Sequence, residues 1–485
     1  MAYDIIIAGG TVIDGSGDPG FAADVAIAGD RIVAIGDLSR VEADRRIDAT
    51  GRVVAPGFID NHTHDDGVLL THPDMTPKLS QGVTSVVIGN CGISLAPLAG
   101  RPIQPPLNLL GRQEIFTYGS FAAYFEALER NGTAVNAIPL VGHTTLRVAT
   151  MERLDRAATP DEAAAMRKML EEGLEAGAVG FSTGVFYPNA HAATAQEVVS
   201  VGKPLKGLDA VYCAHIRNEA DWILAALEEA FEIGRQLDAH TVISHHKLIG
   251  IANHGRARET LGVIHARRMR QSVGLDAYPY PAGSSMLNRK TFSGDAGEKV
   301  MIAWSDPHPE HAGRDFFEVQ QELGLDVDAA IDYLSPAGGI YFQMAEADVR
   351  TILAYPETMI GSDGLPNDRH PHPRLWGTFP RVIGHYGRDL GLFPIETAVY
   401  KMTGLTARQF RLKDRGFIRV GCKADVTIFD PETIRDLADW ANPHEMSVGI
   451  ERVLVNGTEV WRDGRHTNAT PGEVIRRHGR TLPPA

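Results

Sequence analysis

The chain has 485 residues, of which 44% are hydrophobic and 22% are charged, as is typical of a globular protein with a substantial core. A formal net charge of −14 argues against a nucleic-acid-binding protein, because such proteins neutralise phosphates with a basic surface. No apolar run approaches the roughly 20 residues that cross a bilayer, so no membrane contact is expected.

The N-terminus and the cysteines indicate the compartment. The first residues, MAYDIIIAGG, lack the basic segment and the cleavage site of a secretory signal. The three cysteines, Cys91, Cys213 and Cys422, are an odd and sparse set that is unlike a disulfide framework. We therefore expect a cytoplasmic protein whose thiols are free to bind a metal. The sequence gives no prediction of its oligomeric state.

Both ends of the chain read as short β-strands. Near the N-terminus, apolar runs alternate with glycine turns in YDIIIAGGTVIDG, ADVAIAGDRIVAIG and RRIDATGRVVAPG. The same alternation of apolar runs and glycine turns is found near the C-terminus in GFIRVGCKADVTIFDPE and GIERVLVNGTEVWRDG. We predict one small β-sandwich domain built from residues 1–55 and 413–485, and two separate β-appendages are the alternative.

The middle of the chain, residues 56–412, alternates strands and helices. Helical stretches such as TPDEAAAMRKMLEEGLEAG separate eight apolar segments, namely VVAPGFIDNH, GVTSVVIGN, AVNAIPLVGH, AVGFSTG, AVYCAHIR, AHTVISHH, VGLDAYPY and ETMIGSD. Eight such units predict an α/β fold, a closed (β/α)₈ TIM-like barrel whose catalytic groups lie where the strands end. A long gap between the last two segments predicts an inserted lid subdomain at about residues 284–342.

Side chains with metal-binding chemistry follow the first two predicted barrel strands. In GFIDNHTH, His62 and His64 share a face, because successive side chains of a strand alternate. Cys91 follows the second strand among glycines, where backbone can approach a ligand closely. The two imidazoles can bind a metal or be unrelated polar residues, and Cys91 can also be a small buried hydrophobe.

The later strand ends carry the same kinds of side chain. His215 ends strand five, His245 and His246 end strand six, and Asp363 ends strand eight. Histidine, thiolate and carboxylate bind zinc, so their recurrence at one barrel face predicts a zinc site. The inward-facing pattern predicts that His245 faces the site and that His246 points away. Asp363 is placed for general-base work, although it can also be a turn residue.

The remaining strand ends allow weaker assignments. His143 ends strand three and is either a core histidine or a substrate contact, and Tyr278 ends strand seven. Cys213 precedes His215 by two residues and is interpreted as core packing.

These motifs together resemble one family. PGFIDNHTH, SHHK and GSDG are similar to the amidohydrolase superfamily, and GNCG, GFSTG and AHIRNE narrow the resemblance to the N-acyl-D-amino-acid deacylases, the D-aminoacylases. The resemblance covers essentially the whole chain. It implies a zinc enzyme that removes the acyl group from N-acyl-D-amino acids, a class of small-molecule substrate.

The resemblance also implies roles for the strand-end residues. Cys91, His215 and His245 would hold one tightly bound Zn²⁺, and His62 and His64 would form a second, weaker position that shares Cys91. Asp363 would be the catalytic base. Many superfamily members bridge two metals with a carboxylated lysine at strand four, but AVGFSTG contains no lysine. The thiolate of Cys91 would take that role, which argues against a hydantoinase or a dihydroorotase.

Substrate contacts are predicted around the same face. Arg374 is the candidate for the substrate α-carboxylate, because a guanidinium can donate two parallel hydrogen bonds. Tyr278 and Ser285 are further candidates. Relatives that act on acidic substrates place cations where Lys247 and Arg289 stand, with Lys290 as a substitute for Arg289. This favours N-acyl-D-glutamate, with apolar D-amino acids as the alternative.

Two other functions remain as alternatives. One is a cyclic amidase or a deaminase on the same barrel; deaminases of the superfamily use a glutamate close after the strand-five histidine, and Glu219 stands four residues after His215. The other is a non-catalytic barrel stabilised by metal. Structural zinc sites are normally closed four-ligand shells, whereas this site combines open coordination with a carboxylate.

Overall fold

The centre of the molecule is an eight-stranded parallel barrel, as predicted. The computed structural model describes residues 3–292, 294 and 298–477. Barrel strands one to eight follow one another around the ring in chain order: Phe58–Asp60, Val83–Ile88, Asn136–Gly142, Gly180–Gly184, Val211–His215, His240–Ile243, Val273–Ala277 and Thr358–Ile360. A parallel bridge between Thr63 and Gly364 joins strand eight back to strand one.

Helices cover the outside of the barrel. Strands two and three are buried at every residue, as expected for parallel strands that are covered on both faces. The α-helices are Val68–Thr71, Thr76–Leu79, Phe121–Asn131, His143–Thr150, Pro160–Ala176, Pro188–His191, Ala195–Gly202, Ile223–Leu237, Ala257–Arg268, Phe316–Leu323, Val327–Leu334, Glu346–Ala354, Arg374–Arg381, Ile395–Met402 and Gly404–Gln409, and a π-helix spans Val382–Asp389. None of the helices in the described ranges is both long and apolar enough to cross a bilayer.

Local sequence sets the ends of the longest helix. The side chain of Thr159 accepts a hydrogen bond from the Glu162 amide, and the Glu162 carboxylate accepts one from the Thr159 amide. This reciprocal pair satisfies two backbone donors that have no partner within the helix. The helix ends at Gly177, whose φ of 114° suits glycine.

Strands from both ends of the chain meet beside the barrel. One sheet contains Arg465–His466, Thr458–Arg462, Ile450–Val455, Val426–Phe429, Val53–Pro56, Thr11–Val12 and Phe21–Ala22, in that order. A second sheet contains Arg31–Gly36, Asp24–Ala28, Tyr3–Ala8 and Ala43–Asp48. Apolar side chains from both termini, including Ile5, Val54 and Ile428, form one buried cluster. The predicted two-ended β-sandwich is therefore present, while its residue boundaries stay a prediction.

The segment between barrel strands seven and eight forms its own small unit. Its sheet contains Gly283–Met286, Ala337–Tyr341 and Val300–Ser305, and the helices Phe316–Leu323 and Val327–Leu334 pack on it around a separate apolar cluster. Residues 293 and 295–297 of the predicted insertion lie outside the described residues. Ser284 and Ser285 of this unit line the same cavity as His215 and Asp363, so the unit reaches over the carboxyl ends of the barrel strands.

Candidate metal centre and active site

Buried ligand-type side chains from different strands converge at the mouth of the barrel. Cys91 Sγ lies 3.3 Å from His245 Nε2, which lies 3.2 Å from His215 Nδ1. A second group contains Cys91, His62 and His64, with 3.2 Å between Cys91 Sγ and His62 Nε2. Within each group the potential ligand atoms all lie within 4.8 Å of one another. Cys91 is common to both groups.

The chemistry and spacing of these groups fit zinc. Tetrahedral zinc with bonds of about 2.0–2.3 Å separates its ligand atoms by roughly 3.5 Å, close to the distances observed. Burial alone would raise the pKa of the Cys91 thiol, but the neighbouring imidazoles hold that pKa well below its ordinary value. His62 and His64 both direct Nε2 towards Asp363 Oδ1, at 3.6 and 3.2 Å, so these nitrogens face the space beside Cys91 and suit a metal.

Three residues of the site have backbone angles that are uncommon outside glycine. Cys91, His245 and Asp363 have φ values of 53°, 35° and 50°. Left-handed angles cost a side-chain-bearing residue free energy and concentrate at functional sites. Gly184, the last residue of barrel strand four, accommodates the turn at Cys91, because a Cβ at Gly184 would lie 2.0 Å from the Cys91 carbonyl oxygen. The close contact with Cys91 therefore explains why the GFSTG motif ends in glycine.

Replacing Gly184 with alanine is expected to displace Cys91. We expect the free energy of unfolding to fall by about 1–3 kcal/mol, the usual cost of overpacking, and zinc content to fall with it. Urea unfolding and metal analysis measure the two effects. Gly262 is the matched control, because its Cβ would meet nothing within 4 Å in the helix Ala257–Arg268. Gly262→Ala should raise stability by about 0.5–1 kcal/mol, and parent-like stability and zinc content in Gly184→Ala would contradict the explanation.

Asp363 lies between the histidine groups and a buried arginine. Its Oδ1 is 3.2 Å from His64 Nε2, and its Oδ2 is 2.8 Å from Arg374 Nη1. Burial opposes ionisation of Asp363, but Arg374 in particular holds the pKa of the carboxyl well below its ordinary value. The carboxylate is therefore ionised, as a proton acceptor must be.

Arg374 has the environment of a carboxylate-binding group. The residue is fully buried, its guanidinium stacks 4.5 Å from the centre of the Tyr278 ring, and Nη2 lies 3.4 Å from the Ser284 carbonyl oxygen. Among the described residues, Nε of Arg374 has no hydrogen-bond partner. A buried guanidinium with a free donor favours an anionic ligand, because an unmade hydrogen bond is costly away from water.

A small cavity of about 50 Å³ lies against Asp363, His215 and His245, and Arg374 stands behind its wall, in contact with Asp363 and Tyr278. Tyr278, Lys247 and Ser285 line the cavity, and their role as substrate contacts stays a prediction. The ammonium of Lys247 is already paired, since its Nζ lies 2.6 Å from Glu219 Oε1. The charge of Lys247 is thus balanced within the protein.

The structure does not bring His143 and Arg289 into this cavity. His143 lies at the start of the helix His143–Thr150, with Nε2 3.3 Å from Glu197 Oε1 and its ring edge-on to Phe181. The core alternative thus describes His143. The side chain of Arg289 is more than half exposed and lies 3.6 Å from Asp328 Oδ1. One of the two cations behind the predicted glutamate preference is therefore absent from the cavity wall.

The comparisons with known proteins agree with this geometry. A model of the amidohydrolase family matches residues 45–262 and 315–461, more than half of the chain. The chain belongs to the amidohydrolase family. Three relatives from Alcaligenes xylosoxydans xylosoxydans place this amidohydrolase among the D-aminoacylases. A D-aminoacylase is 54% identical over 98% of both chains. An N-acyl-D-aspartate deacylase is 53% identical over 97% of this chain and 95% of its own. An N-acyl-D-glutamate deacylase is 48% identical over 98% of this chain and 96% of its own.

Two solved structures match the fold of the amidohydrolase closely. A D-aminoacylase, studied for the functional role of its binuclear metal centre with one-metal activation and second-metal attenuation, is 53% identical with a TM-score of 0.96, covering 98% of this chain and 100% of its own. An N-acyl-D-glutamate deacylase from Bordetella bronchiseptica, complexed with zinc and a phosphonate inhibitor, is 44% identical with a TM-score of 0.94 and the same coverage.

Two carboxylates orient the amidohydrolase's histidines: Asp276, for which the sequence predicts no role, and Glu219, which the sequence connects only with the deaminase alternative. Asp276 in barrel strand seven accepts a hydrogen bond from the His245 amide at 2.8 Å and lies 3.4 Å from His62 Nδ1. Glu219 Oε1 lies 3.2 Å from His245 Nδ1. The one available signal for Asp276 is a carboxylate inside the otherwise apolar strand VGLDA.

A buried ion cluster supports the amidohydrolase's barrel at the junction of strands one and eight. The Lys78 ammonium lies 2.7 Å from Asp60 Oδ2, 3.1 Å from Asp65 Oδ2 and 3.0 Å from Ser362 Oγ. Asp60 Oδ1 also accepts a hydrogen bond from the Ser362 amide at 2.8 Å. These contacts fix Ser362, which precedes Asp363, and Asp60 and Asp65, which flank the segment with His62 and His64.

Proposed function

We propose that the protein hydrolyses the amide bond of N-acyl-D-amino acids in a zinc-dependent reaction, giving a carboxylate and a free D-amino acid. The observation that carries the proposal is the buried Cys91–His215–His245 group beside the Asp363–Arg374 pair. Similarity to D-aminoacylases over nearly the whole chain supports the substrate class and the D configuration. Assays with both enantiomers of an N-acetyl amino acid, together with zinc analysis of the same sample, test the proposal.

Cys91, His215 and His245 would hold the tight zinc, and His62 and His64 would hold a second ion with Cys91 shared. When bound, zinc lowers the pKa of a coordinated water to about 7 and polarises the substrate carbonyl. Asp276 and Glu219 would fix the orientation of the histidine rings, as outer hydrogen-bond partners of metal ligands do.

Asp363 would move the proton of the reaction. As the water oxygen bonds to the amide carbon, Asp363 accepts the water proton, and it then donates this proton to the amide nitrogen while the carbon–nitrogen bond breaks. Protonation is needed because an amine anion is a poor leaving group. Arg374 would bind the substrate α-carboxylate through its free Nε donor, with Tyr278 stacked on the guanidinium.

The cavity favours an apolar side chain on the substrate over glutamate. Lys247 is balanced by Glu219, and Arg289 lies outside, so a glutamate side chain would meet no free cation among the residues that line the cavity. We expect kcat/KM for N-acetyl-D-leucine to exceed that for N-acetyl-D-glutamate at least about tenfold, since an unpaired buried charge is costly. Steady-state kinetics on the two substrates measure this ratio. An equal or larger kcat/KM for N-acetyl-D-glutamate would contradict the prediction and support the glutamate preference expected from the sequence.

We also infer that the protein works in the cytoplasm. All three cysteines are free, and Cys91 as a ligand requires a reduced thiol. Fractionation of cells that produce the protein tests this location.

A further inference from the structure

A second and larger chamber adjoins the small cavity of the site. Its volume is about 570 Å³, against about 50 Å³ for the site cavity. Phe186, Tyr187 and Thr291 line both spaces, so the two share a wall. Ligand pockets typically measure about 300–1,000 Å³, a range that the chamber reaches and the site cavity does not. A substrate bound at the metal ligands therefore has room to extend towards the chamber.

The chamber is lined mainly by apolar side chains, including Pro105, Pro106, Pro188, Met286, Leu287 and Pro336. One of its cations, Arg217, is paired with Glu229 at 2.7 Å and donates a hydrogen bond to the His191 carbonyl at 2.6 Å. The other, Lys290, is exposed to solvent and keeps its hydration. The lining therefore suits a hydrocarbon chain.

One side of the chamber lies across the barrel from Arg374, and its other side comes from the inserted unit after strand seven through Met286, Leu287 and Thr291. Arg374 follows barrel strand eight, whereas Phe186, Tyr187 and Pro188 follow strand four, which is opposite strand eight in a ring of eight. An N-acyl amino acid has its α-carboxylate on one side of the amide bond and its acyl chain on the other. With the carboxylate at Arg374 and the amide carbonyl at the metal ligands, the acyl chain points towards strand four.

We propose that the chamber receives the acyl chain, and that the enzyme accepts N-acyl-D-amino acids with medium-length saturated acyl groups. The proposal rests on the proposed function and adds the class of acyl group to it. Phe186, Tyr187 and Thr291 line both spaces, so the acyl chain would pass between these side chains while the scissile bond stays beside Asp363.

The first test is a series of N-acyl-D-leucines with acetyl, butanoyl, hexanoyl and octanoyl groups. Each buried methylene contributes up to about fourfold in binding, so we expect kcat/KM to rise at least tenfold from acetyl to octanoyl. A flat or falling series overturns the proposal. If the acetyl substrate is hydrolysed in that case, only the acyl assignment fails; if no member is hydrolysed, the proposed function fails as well.

The second test fills the chamber with Pro188→Trp. Pro188 is an exposed proline at the first position of the helix Pro188–His191, and Pro160 is its matched control at the first position of Pro160–Ala176, outside the chamber. We expect the ratio of octanoyl to acetyl kcat/KM to fall at least tenfold in Pro188→Trp and to stay at the parent value in Pro160→Trp. An unchanged ratio in a folded Pro188→Trp protein contradicts the proposal.

A parallel series separates the acyl chain from the amino-acid side chain. N-acetyl derivatives of D-alanine, D-norvaline and D-2-aminooctanoate lengthen the other end of the substrate. If Pro188→Trp suppresses the long member of this series and not octanoyl-D-leucine, the chamber holds the side chain and the proposal is wrong.

Discussion

Asp363→Asn is expected to abolish turnover of N-acetyl-D-leucine while leaving the tight zinc in place. Asparagine keeps the size of the side chain and removes the proton acceptor, and general acid–base groups typically contribute about 10²–10⁴-fold to rate. Zinc should remain, because the Cys91, His215 and His245 group does not include Asp363. Steady-state kinetics and metal analysis of the same preparation measure both effects.

Asp209 provides the matched control for Asp363. It is also an aspartate with a left-handed backbone, with a φ of 52°, but it is exposed and lies 3.0 Å from Arg411. Asp209→Asn should therefore retain the full activity and zinc content of the parent. If Asp363→Asn keeps more than a tenth of parental kcat in the same assays, Asp363 is not the base.

Cys91→Ala is expected to lose zinc from both positions together with all measurable activity. The sulfur is common to the two ligand groups, so its removal leaves each with two histidines, fewer than the three or more protein ligands usual for zinc. Zinc stoichiometry after dialysis and hydrolysis of N-acetyl-D-leucine are the measurements. The loss of both ions distinguishes a shared sulfur from two independent sites.

Cys213→Ala is the control for the thiol. Cys213 is equally buried in the barrel, but it packs in an apolar cluster, and burial raises the pKa of its thiol well above the ordinary value. This variant should keep zinc and activity, with a small loss of stability from the missing sulfur. Unchanged zinc content in Cys91→Ala would refute the ligand assignment, and loss of zinc in Cys213→Ala would show that the barrel itself had been disturbed.

The convergence of the candidate ligands could be predicted from the sequence, because it follows from a simple geometric rule. Parallel strands of a barrel bring their carboxyl ends to one face, so His62, Cys91, His215, His245 and Asp363 had to meet once eight strands were recognised. The same rule places Tyr278 at this face of the barrel. The alternation of side chains along strand six predicts that His246 points away from the site, and its Nε2 lies 2.9 Å from Thr260 Oγ1.

The contacts of long side chains could not be predicted in this way. Arg289 belongs to the inserted unit, where no strand register fixes its direction, and the structure pairs it with Asp328. The sequence places Lys247 beside the site but does not reveal that Glu219 takes its charge. The role of Asp276 could not be predicted either, because a single polar residue inside an apolar strand gives no periodic signal. The preference for the substrate side chain depends on such contacts.

The candidate base and the candidate metal ligands His62 and His64 lie on opposite sides of the junction between the last and the first barrel strand. The amide of Asp363 donates a hydrogen bond to the His62 carbonyl at 2.8 Å across this junction. The five candidate metal ligands of the site lie at the ends of strands one, two, five and six, whereas Asp363, the candidate base, follows strand eight. A partly assembled barrel could thus capture its metal and still be inert, and hydrolysis would begin only when the cylinder is complete.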